Sequence, residues 1–106
     1  MKRTVAALII LVAPFGASAA AFYGSLTIDG QLPGREVPIE LVCANTVIAS
    51  ETVDPRGSYR FTNLAPRGDC VVRVQGATAP VVLYPNPTRF DYALTHLSGR
   101  PVLKQR

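Results

Sequence analysis

The chain has 106 residues, of which 48% are hydrophobic and 17% are charged, with eleven basic and seven acidic side chains. This length allows one domain at most. Without Lys2 and Arg3, which precede an apolar run, nine basic side chains remain against seven acidic ones, and the two signs are interspersed. This distribution excludes the concentrated basic surface of a nucleic-acid-binding protein.

The N-terminal segment has the features of a secretory signal peptide. Its positive start is followed by the apolar run VAALIILVA (5–13) and then by small residues. We expect residues 1–19 to be the signal, with cleavage after Ala19, or alternatively after Ala21. The run is short for a bilayer crossing, which takes about 20 apolar residues. We therefore expect no stable membrane insertion after cleavage and a periplasmic or secreted location in a bacterium, with an uncleaved anchor as the alternative.

Short runs of alternating apolar and polar residues, separated by turn signals, dominate the rest of the chain. Alternation places the apolar side chains of each run on one face of a strand. No window beyond the N-terminal segment has helical periodicity. The sixth run contains Pro80, which predicts an edge strand. The seven predicted strands are 22–28, 37–43, 46–53, 58–61, 70–74, 79–84 and 88–94.

Seven short strands at this spacing predict a β-sandwich, which we assign to residues 20–95. The last segment, residues 96–106, has no clear period, and we expect a basic C-terminal tail in which His96 is solvated. Within the sandwich, Gly57 and Gly68 are expected to form turns, because glycine accepts positive φ angles.

Cys43 and Cys70 are the two cysteines of the chain. In an exported protein an even pair predicts a disulfide. The alternatives are two buried free thiols or a metal pair, although zinc usually takes four protein ligands and His96 is the single histidine. The alternation places both cysteines on the inward faces of their strands.

Two segments, LPGREVPIELVC (32–43) and TVDPRGSYRFTNLAPRGDCVVRV (52–74), resemble the carboxypeptidase regulatory-like domain. That family shares a transthyretin-like (prealbumin-like) sandwich with the Cna protein B-type repeats. The resemblance implies an all-β sandwich of about seven strands, antiparallel or mixed, with one intradomain disulfide. The residues that carry it are the Pro33-Gly34 turn, Asp54, Gly57, Tyr59, Phe61, Leu64 and Gly68.

This sequence also departs from the family. Cys70 stands where the family usually has an aromatic residue, which indicates a disulfide in place of aromatic packing. Lys104 lies outside the predicted core, so the internal Lys–Asn bond of the B-type repeats is not expected. The transthyretin-like hydrolases of hydroxyisourate need several histidines, whereas this chain has His96 alone, and we do not expect that activity.

Candidate binding residues are few. Catalysis by a nucleophile requires a base and an orienting group, and no such set stands out, so we expect no enzyme, no cofactor and no metal. Arg60 and Arg73 point outward and would form a basic patch for an anionic glycan, a lipid headgroup or an acidic protein if they shared a sheet face. Tyr84, in the turn YPNP, is the best candidate for an exposed aromatic binding residue.

These observations favour an exported, non-enzymatic module that binds an envelope or secreted protein partner through an edge strand or end loops. One alternative is a carbohydrate-binding module. Another is a periplasmic inhibitor of an envelope hydrolase, which would insert the loop at 29–36 or 84–88 into a cleft.

Overall fold

A computed structural model describes residues 19–106 as an all-β domain of two packed sheets. In this part of the chain no helix is long and apolar enough to span a membrane. The predicted signal peptide lies outside the described residues, apart from Ala19. The strands are β1 Ala20–Ile28, β2 Val37–Cys43, β3 Thr46–Val53, β4 Ser58–Leu64, β5 Arg67–Val74, β6 Ala77–Leu83, β7 Thr88–Arg89, β8 Tyr92–Leu97 and β9 Arg100–Gln105.

The first sheet has the strand order β4-β1-β8-β9, and the short β7 also pairs with β1. Strand β1 runs antiparallel to β4 but parallel to β7 and β8, so this sheet is mixed. The second sheet, in the order β3-β2-β5-β6, is antiparallel throughout. The predicted all-β, two-sheet fold is therefore confirmed, but the number of strands is nine rather than about seven.

The C-terminal segment differs from the expected basic tail. His96 and Leu97 end β8, and β9 pairs antiparallel with it. The two strands are joined by Ser98 and Gly99, whose φ angles of 52° and 78° suit the type I′ turn of a tight hairpin. Leu103 in β9 is buried in the core. Because β9 has only this one fully buried side chain, its sequence carries no visible alternation.

The two glycines expected in turns behave differently. Gly57 closes the turn that begins at Asp54 and has a φ of 91°, as predicted. Gly68 lies inside β5 without a positive φ. The expected loop around it is reduced to Ala65 and Pro66, which carry the chain from the first sheet to the second.

The core fills the space between the two sheets. An aromatic cluster occupies part of it: Phe22 stacks on Phe61 and meets Tyr59 and Phe90 edge-on. Tyr59 and Phe61 are therefore buried in the core, as predicted. The other residues that alternation places inward and that the structure buries are Val37, Ile39, Leu41, Val72, Val74, Tyr92 and Leu94.

The predicted disulfide between Cys43 and Cys70 is present, within the second sheet. The two residues lie directly opposite each other on β2 and β5, with their Cα atoms 4.0 Å apart. The neighbouring Ala44 N–H donates to the Asp69 carbonyl, which marks the cysteines as a non-hydrogen-bonded pair, the position where facing side chains approach most closely. A disulfide in an all-β domain is consistent with an extracellular or periplasmic location.

Phe90 and Asp91 form the short link between β7 and β8, and hydrogen bonds connect this link to β1 and β4. The Tyr59 hydroxyl donates to the Phe90 carbonyl at 2.5 Å, and burial raises the pKa of this phenol well above its ordinary value. The Asp91 carboxylate accepts from both the backbone N–H and the hydroxyl of Ser25, at 2.9 and 3.0 Å. At this junction, hydrogen bonds from one side-chain donor and to one side-chain acceptor supplement the backbone bond from the Phe90 N–H to the Tyr23 carbonyl. Gly24 fits against it because it has no side chain.

Asp91 is expected to make the protein sensitive to acid. Partial burial acts to raise the pKa of its carboxyl, but hydrogen bonds from Arg89 and Ser25 outweigh this and lower the pKa below its ordinary value. Its contribution to stability is therefore complete above the unfolded pKa of about 3.9 and is lost as the pH falls through the lower folded value. Urea unfolding between pH 5 and pH 2 should show a smaller loss of stability for Asp91→Asn than for the wild type.

Asp69 supplies a matched control for this measurement. It pairs with Arg67 two residues earlier, just as Asp91 pairs with Arg89, but its side chain is 50% exposed against 26% for Asp91. Solvent screens an exposed pair more strongly, so Asp69→Asn should change the acid dependence less. Equal effects of the two substitutions would contradict the role given to Asp91.

Candidate functional site

An apolar row crosses the face of the second sheet that points away from the core. Val42 on β2 lies opposite Val47 on β3 and opposite Val71 on β5, and Val71 lies opposite Pro80 on β6. The outward face of a sandwich sheet is normally polar, because solvent covers it. Val42 is only 8% exposed although it faces outward, since apolar neighbours on both adjacent strands cover it.

The row continues along the edge strand β6. Pro80 and Val82 occupy alternate, outward positions, and Tyr84 follows at the next alternate position, just beyond the end of the strand. Tyr84 is 48% exposed, as predicted. We call Val42, Val47, Val71, Pro80, Val82 and Tyr84 together the outer apolar surface.

Two ion pairs flank the outer apolar surface. On one side the Arg73 guanidinium on β5 contacts Glu40 on β2, with 2.7 Å between Nη2 and Oε1. On the other side Arg67 and Asp69, at the start of β5, are 2.6 Å apart, and the hydrogen bond from Arg67 lowers the pKa of the Asp69 carboxyl. An apolar centre with a charged, partly exposed rim is the usual anatomy of a protein–protein interface.

The structure does not bring the two predicted arginines together. Arg60 lies on β4 in the first sheet, whereas Arg73 lies on β5 in the second. They therefore share no sheet face, and the patch expected from this pair does not form. Arg73 is engaged by Glu40, and the guanidinium carbon of Arg60 lies 5.5 Å from the centre of the Tyr23 ring.

Arg60 instead lines an open cleft of about 510 Å³ near the edge strands β3 and β4. The residues around it are polar. Asp54, at one end, is already committed, because its Oδ1 accepts the backbone N–H groups of Arg56 and Ser58 at 2.9 Å. The remaining lining residues are Tyr23, Gly24, Ser25, Glu51, Thr52, Ser58, Tyr59 and Arg89.

The side chains most suited to catalysis or metal binding have structural partners. The His96 Nδ1 atom lies 2.8 Å from Oδ2 of Asp29. The backbone N–H of His96 donates to Oδ1 of the same carboxylate, and this hydrogen bond lowers the pKa of Asp29. Within residues 19–106, one group of three potential metal ligands comes within 4.8 Å, namely Cys43, Asp69 and Cys70. Both sulfurs belong to the disulfide, so they are not available as thiolate ligands.

Tyr84 stands apart from the other rings. None of the aromatic pairs found among residues 19–106 includes it. Tyr84 lies instead on the outer apolar surface, beside Val82 of the edge strand β6.

The fold and its disulfide define a small, two-sheet β-sandwich with an apolar surface on one outer face and a polar cleft at one side. No protein-family profile matches the chain, and no curated protein is significantly similar to it. The resemblance to the carboxypeptidase regulatory-like domain therefore remains a hypothesis that rests on the residues named above.

The outer apolar surface was not predicted, although the sequence contains a signal for it. All four strands of the second sheet have two consecutive apolar residues, at 41–42, 47–48, 71–72 and 81–82. In a strand with alternating faces, such a pair places one apolar side chain on each side of the sheet. Four such pairs in strands of one sheet indicate an outward face that is partly apolar.

Proposed function

We propose that this protein is an exported, non-enzymatic β-sandwich module that binds a protein partner in the cell envelope through its outer apolar surface. The observation that carries the proposal is the apolar row across all four strands of the second sheet. Contiguous apolar patches on small proteins mark interaction sites. Tyr84 adds an aromatic residue of the kind enriched at interfaces, and the two ion pairs supply a polar rim.

The sheet edges support binding through a face rather than by strand addition. The edge strand β3 contains a bulge at Ile48, between the pairs Leu41–Ala49 and Val42–Val47. The edge strand β6 contains Pro80, and β9 contains Pro101 and Lys104. Bulges, prolines and lysines at edges oppose pairing with another strand. At three of the four edge strands, β3, β6 and β9, strand addition therefore has less support than recognition through a face or a loop.

Export and the transthyretin-like architecture are parts of the same proposal. Export is supported by the signal-like N-terminal segment and by the disulfide, which persists in oxidising compartments. The transthyretin-like assignment is supported by the two packed sheets, one of them mixed, and by the turn at Asp54–Gly57 that the resemblance includes.

Site-specific photocrosslinking tests the proposed surface. A photoreactive phenylalanine analogue at Val82, in protein exported by living cells, should give a discrete adduct with an envelope protein. Val71→Arg in the labelled chain should reduce the adduct at least tenfold, because it places a charge at the centre of the apolar row. Val71 faces outward, so the variant should fold, and a thermal melt checks this.

The outer face of the first sheet provides the control position. It carries a smaller groove of about 270 Å³ on the β8–β9 hairpin, with Val102 in its lining. The analogue at Val102 should give no adduct with the same protein, and Val102→Arg should leave the Val82 adduct unchanged. Equal adducts from both positions, or an adduct that survives Val71→Arg, would exclude the proposed surface.

A second candidate, the inhibitor of an envelope hydrolase, is supported by the loop at 29–36. Leu32 in this loop is 64% exposed. The loop is held on either side, by paired hydrogen bonds between Gln31 and Ile28 and by a bond of 3.0 Å from the Gly34 N–H to the Pro55 carbonyl. A fixed loop with a projecting apolar side chain suits insertion into a cleft. An adduct formed from position 32 but not from position 82 would favour this function.

A further inference from the structure

The cleft near β3 and β4 is separate from the outer apolar surface and has a different chemistry. Its volume of about 510 Å³ lies in the range of pockets that bind small ligands. None of the residues of the outer apolar surface lines it. The cleft is therefore a separate candidate binding site.

Three strands of the first sheet place two arginines around one tyrosine. Tyr23 on β1 lies opposite Arg60 on β4 and, on its other side, opposite Arg89 on β7. Opposite residues on adjacent strands have side chains about 5 Å apart at Cβ. Arg60, Tyr23 and Arg89 consequently form one row across β4, β1 and β7, and all three line the cleft.

Both guanidinium groups retain free donors. Arg60 stacks over the Tyr23 ring and, within residues 19–106, makes no hydrogen bond or ion pair. Arg89 contacts Asp91 through Nε alone, at 3.0 and 3.1 Å, which leaves both of its Nη groups without a partner in the same part of the chain. Stacking on Tyr23 holds the Arg60 guanidinium, and the ion pair with Asp91 holds that of Arg89. Ligand binding therefore costs less side-chain entropy than it would with two freely mobile arginines.

The rest of the cleft offers groups that suit hydroxyls. Glu51 and Thr52 lie on β3, and Ser58 lies at the start of β4. The Glu51 carboxylate makes no ion pair among residues 19–106 and is an acceptor for hydroxyl donors. The two hydroxyl side chains can both donate and accept. The planar guanidinium groups suit an acid group, and the carboxylate and hydroxyl side chains suit hydroxyls. The lining of the cleft therefore fits a ligand that has both an acid group and several hydroxyls.

We propose that this cleft binds an acidic saccharide, with the sugar carboxylate held by Arg60 and Arg89 and the sugar hydroxyls by Glu51, Thr52 and Ser58. A guanidinium pairs with a planar carboxylate through two parallel hydrogen bonds, which is stronger and more directional than a neutral contact. A neutral sugar leaves Arg60 without a counter-charge and both guanidinium groups with free N–H donors. The inference does not depend on the proposed protein partner, because the two sites share no residue.

A titration of the isotope-labelled exported protein with trigalacturonate, followed by NMR and calorimetry, tests this site. Saturable binding should shift the backbone signals of Tyr23, Ser58 and Arg89. Arg60→Gln should weaken binding at least tenfold, and Arg60→Lys should weaken it less, because lysine keeps the charge but loses the planar fork. Arg100→Gln, which removes a charge from the β8–β9 hairpin outside the cleft, should leave the affinity within twofold.

Each remaining outcome counts against the proposal. Equal affinity for a neutral galactose trisaccharide would remove the carboxylate requirement. Inorganic phosphate that binds as tightly as trigalacturonate would reduce the cleft to a simple anion site. The absence of saturable binding by trigalacturonate and by an equivalent glucuronate oligomer would overturn the site altogether. Loss of binding in Arg100→Gln as great as in Arg60→Gln would show that net charge, rather than the cleft, attracts the saccharide.

Discussion

Replacement of Cys43 and Cys70 together by alanine is expected to lower the free energy of unfolding by about 3 to 4 kcal/mol. The disulfide joins residues 27 positions apart, and the chain-entropy model assigns a loop of this length a stabilisation of this size. A domain of this length buries a modest fraction of its surface, and typical domain stabilities are about 5 to 15 kcal/mol. The bond therefore supplies a large share of the total, and urea unfolding at neutral pH measures it.

A reducing agent provides the control for this prediction. The wild type in excess dithiothreitol should unfold at nearly the same urea concentration as the double alanine variant, whereas the variant should be insensitive to the reagent. If oxidised wild type and variant had the same midpoint and the same slope, the crosslink would contribute nothing to stability. The argument for an oxidising compartment, where such a bond persists, would then lose its energetic basis.

The sheet alternation is the part of the fold that the sequence predicts best, because it is local. A period of two places Val37, Ile39 and Leu41 on the same face as Cys43, whatever strand lies alongside. The same rule on the next cysteine-containing strand places Cys70 inward. Two separate local patterns thus agree on a position where a disulfide can form, and the structure confirms it.

The features that were not predicted depend on which strands are neighbours. The row of Arg60, Tyr23 and Arg89 exists because β1 lies between β4 and β7, and both of its pairings join residues more than thirty positions apart. Nothing in the alternation of one strand specifies its partner or its register. The C-terminal hairpin is different: the dipeptide Ser98-Gly99 is a local turn signal that, if given more weight, predicts it.

The cleft and the outer apolar surface illustrate the same distinction. The basic patch considered for Arg60 and Arg73 depended on a shared sheet face, and the outward direction of a side chain does not tell which sheet its strand joins. Val71 was available from the sequence as an outward apolar residue. Its significance appears only when Val42 and Pro80 are found beside it on adjacent strands.

The junction between β7 and β8 leads to the second large expected effect, that of Gly24→Ala. A Cβ at this position would lie 1.8 Å from the Phe90 carbonyl oxygen, a backbone atom that cannot rotate away. The same oxygen accepts a hydrogen bond from the Tyr59 hydroxyl, so a shift of Phe90 also disturbs this part-buried hydrogen bond. We expect a loss of about 4 kcal/mol or more in the free energy of unfolding, in the range reserved for severe steric conflict.

Gly68→Ala is the matched control, since Gly68 also lies in a strand but has no positive φ and no heavy atom within 4 Å of an added Cβ. There the added methyl group meets open space and restricts the unfolded chain, so stability should be unchanged or should rise by up to about 1 kcal/mol. Urea unfolding of both variants beside the wild type separates the steric cost from the general effect of removing a glycine from a strand. A Gly24→Ala protein as stable as Gly68→Ala would mean that β1 does not approach Phe90 so closely. The register that places Tyr23 between the two arginines would then be wrong as well, because Gly24 is the next residue on the same strand.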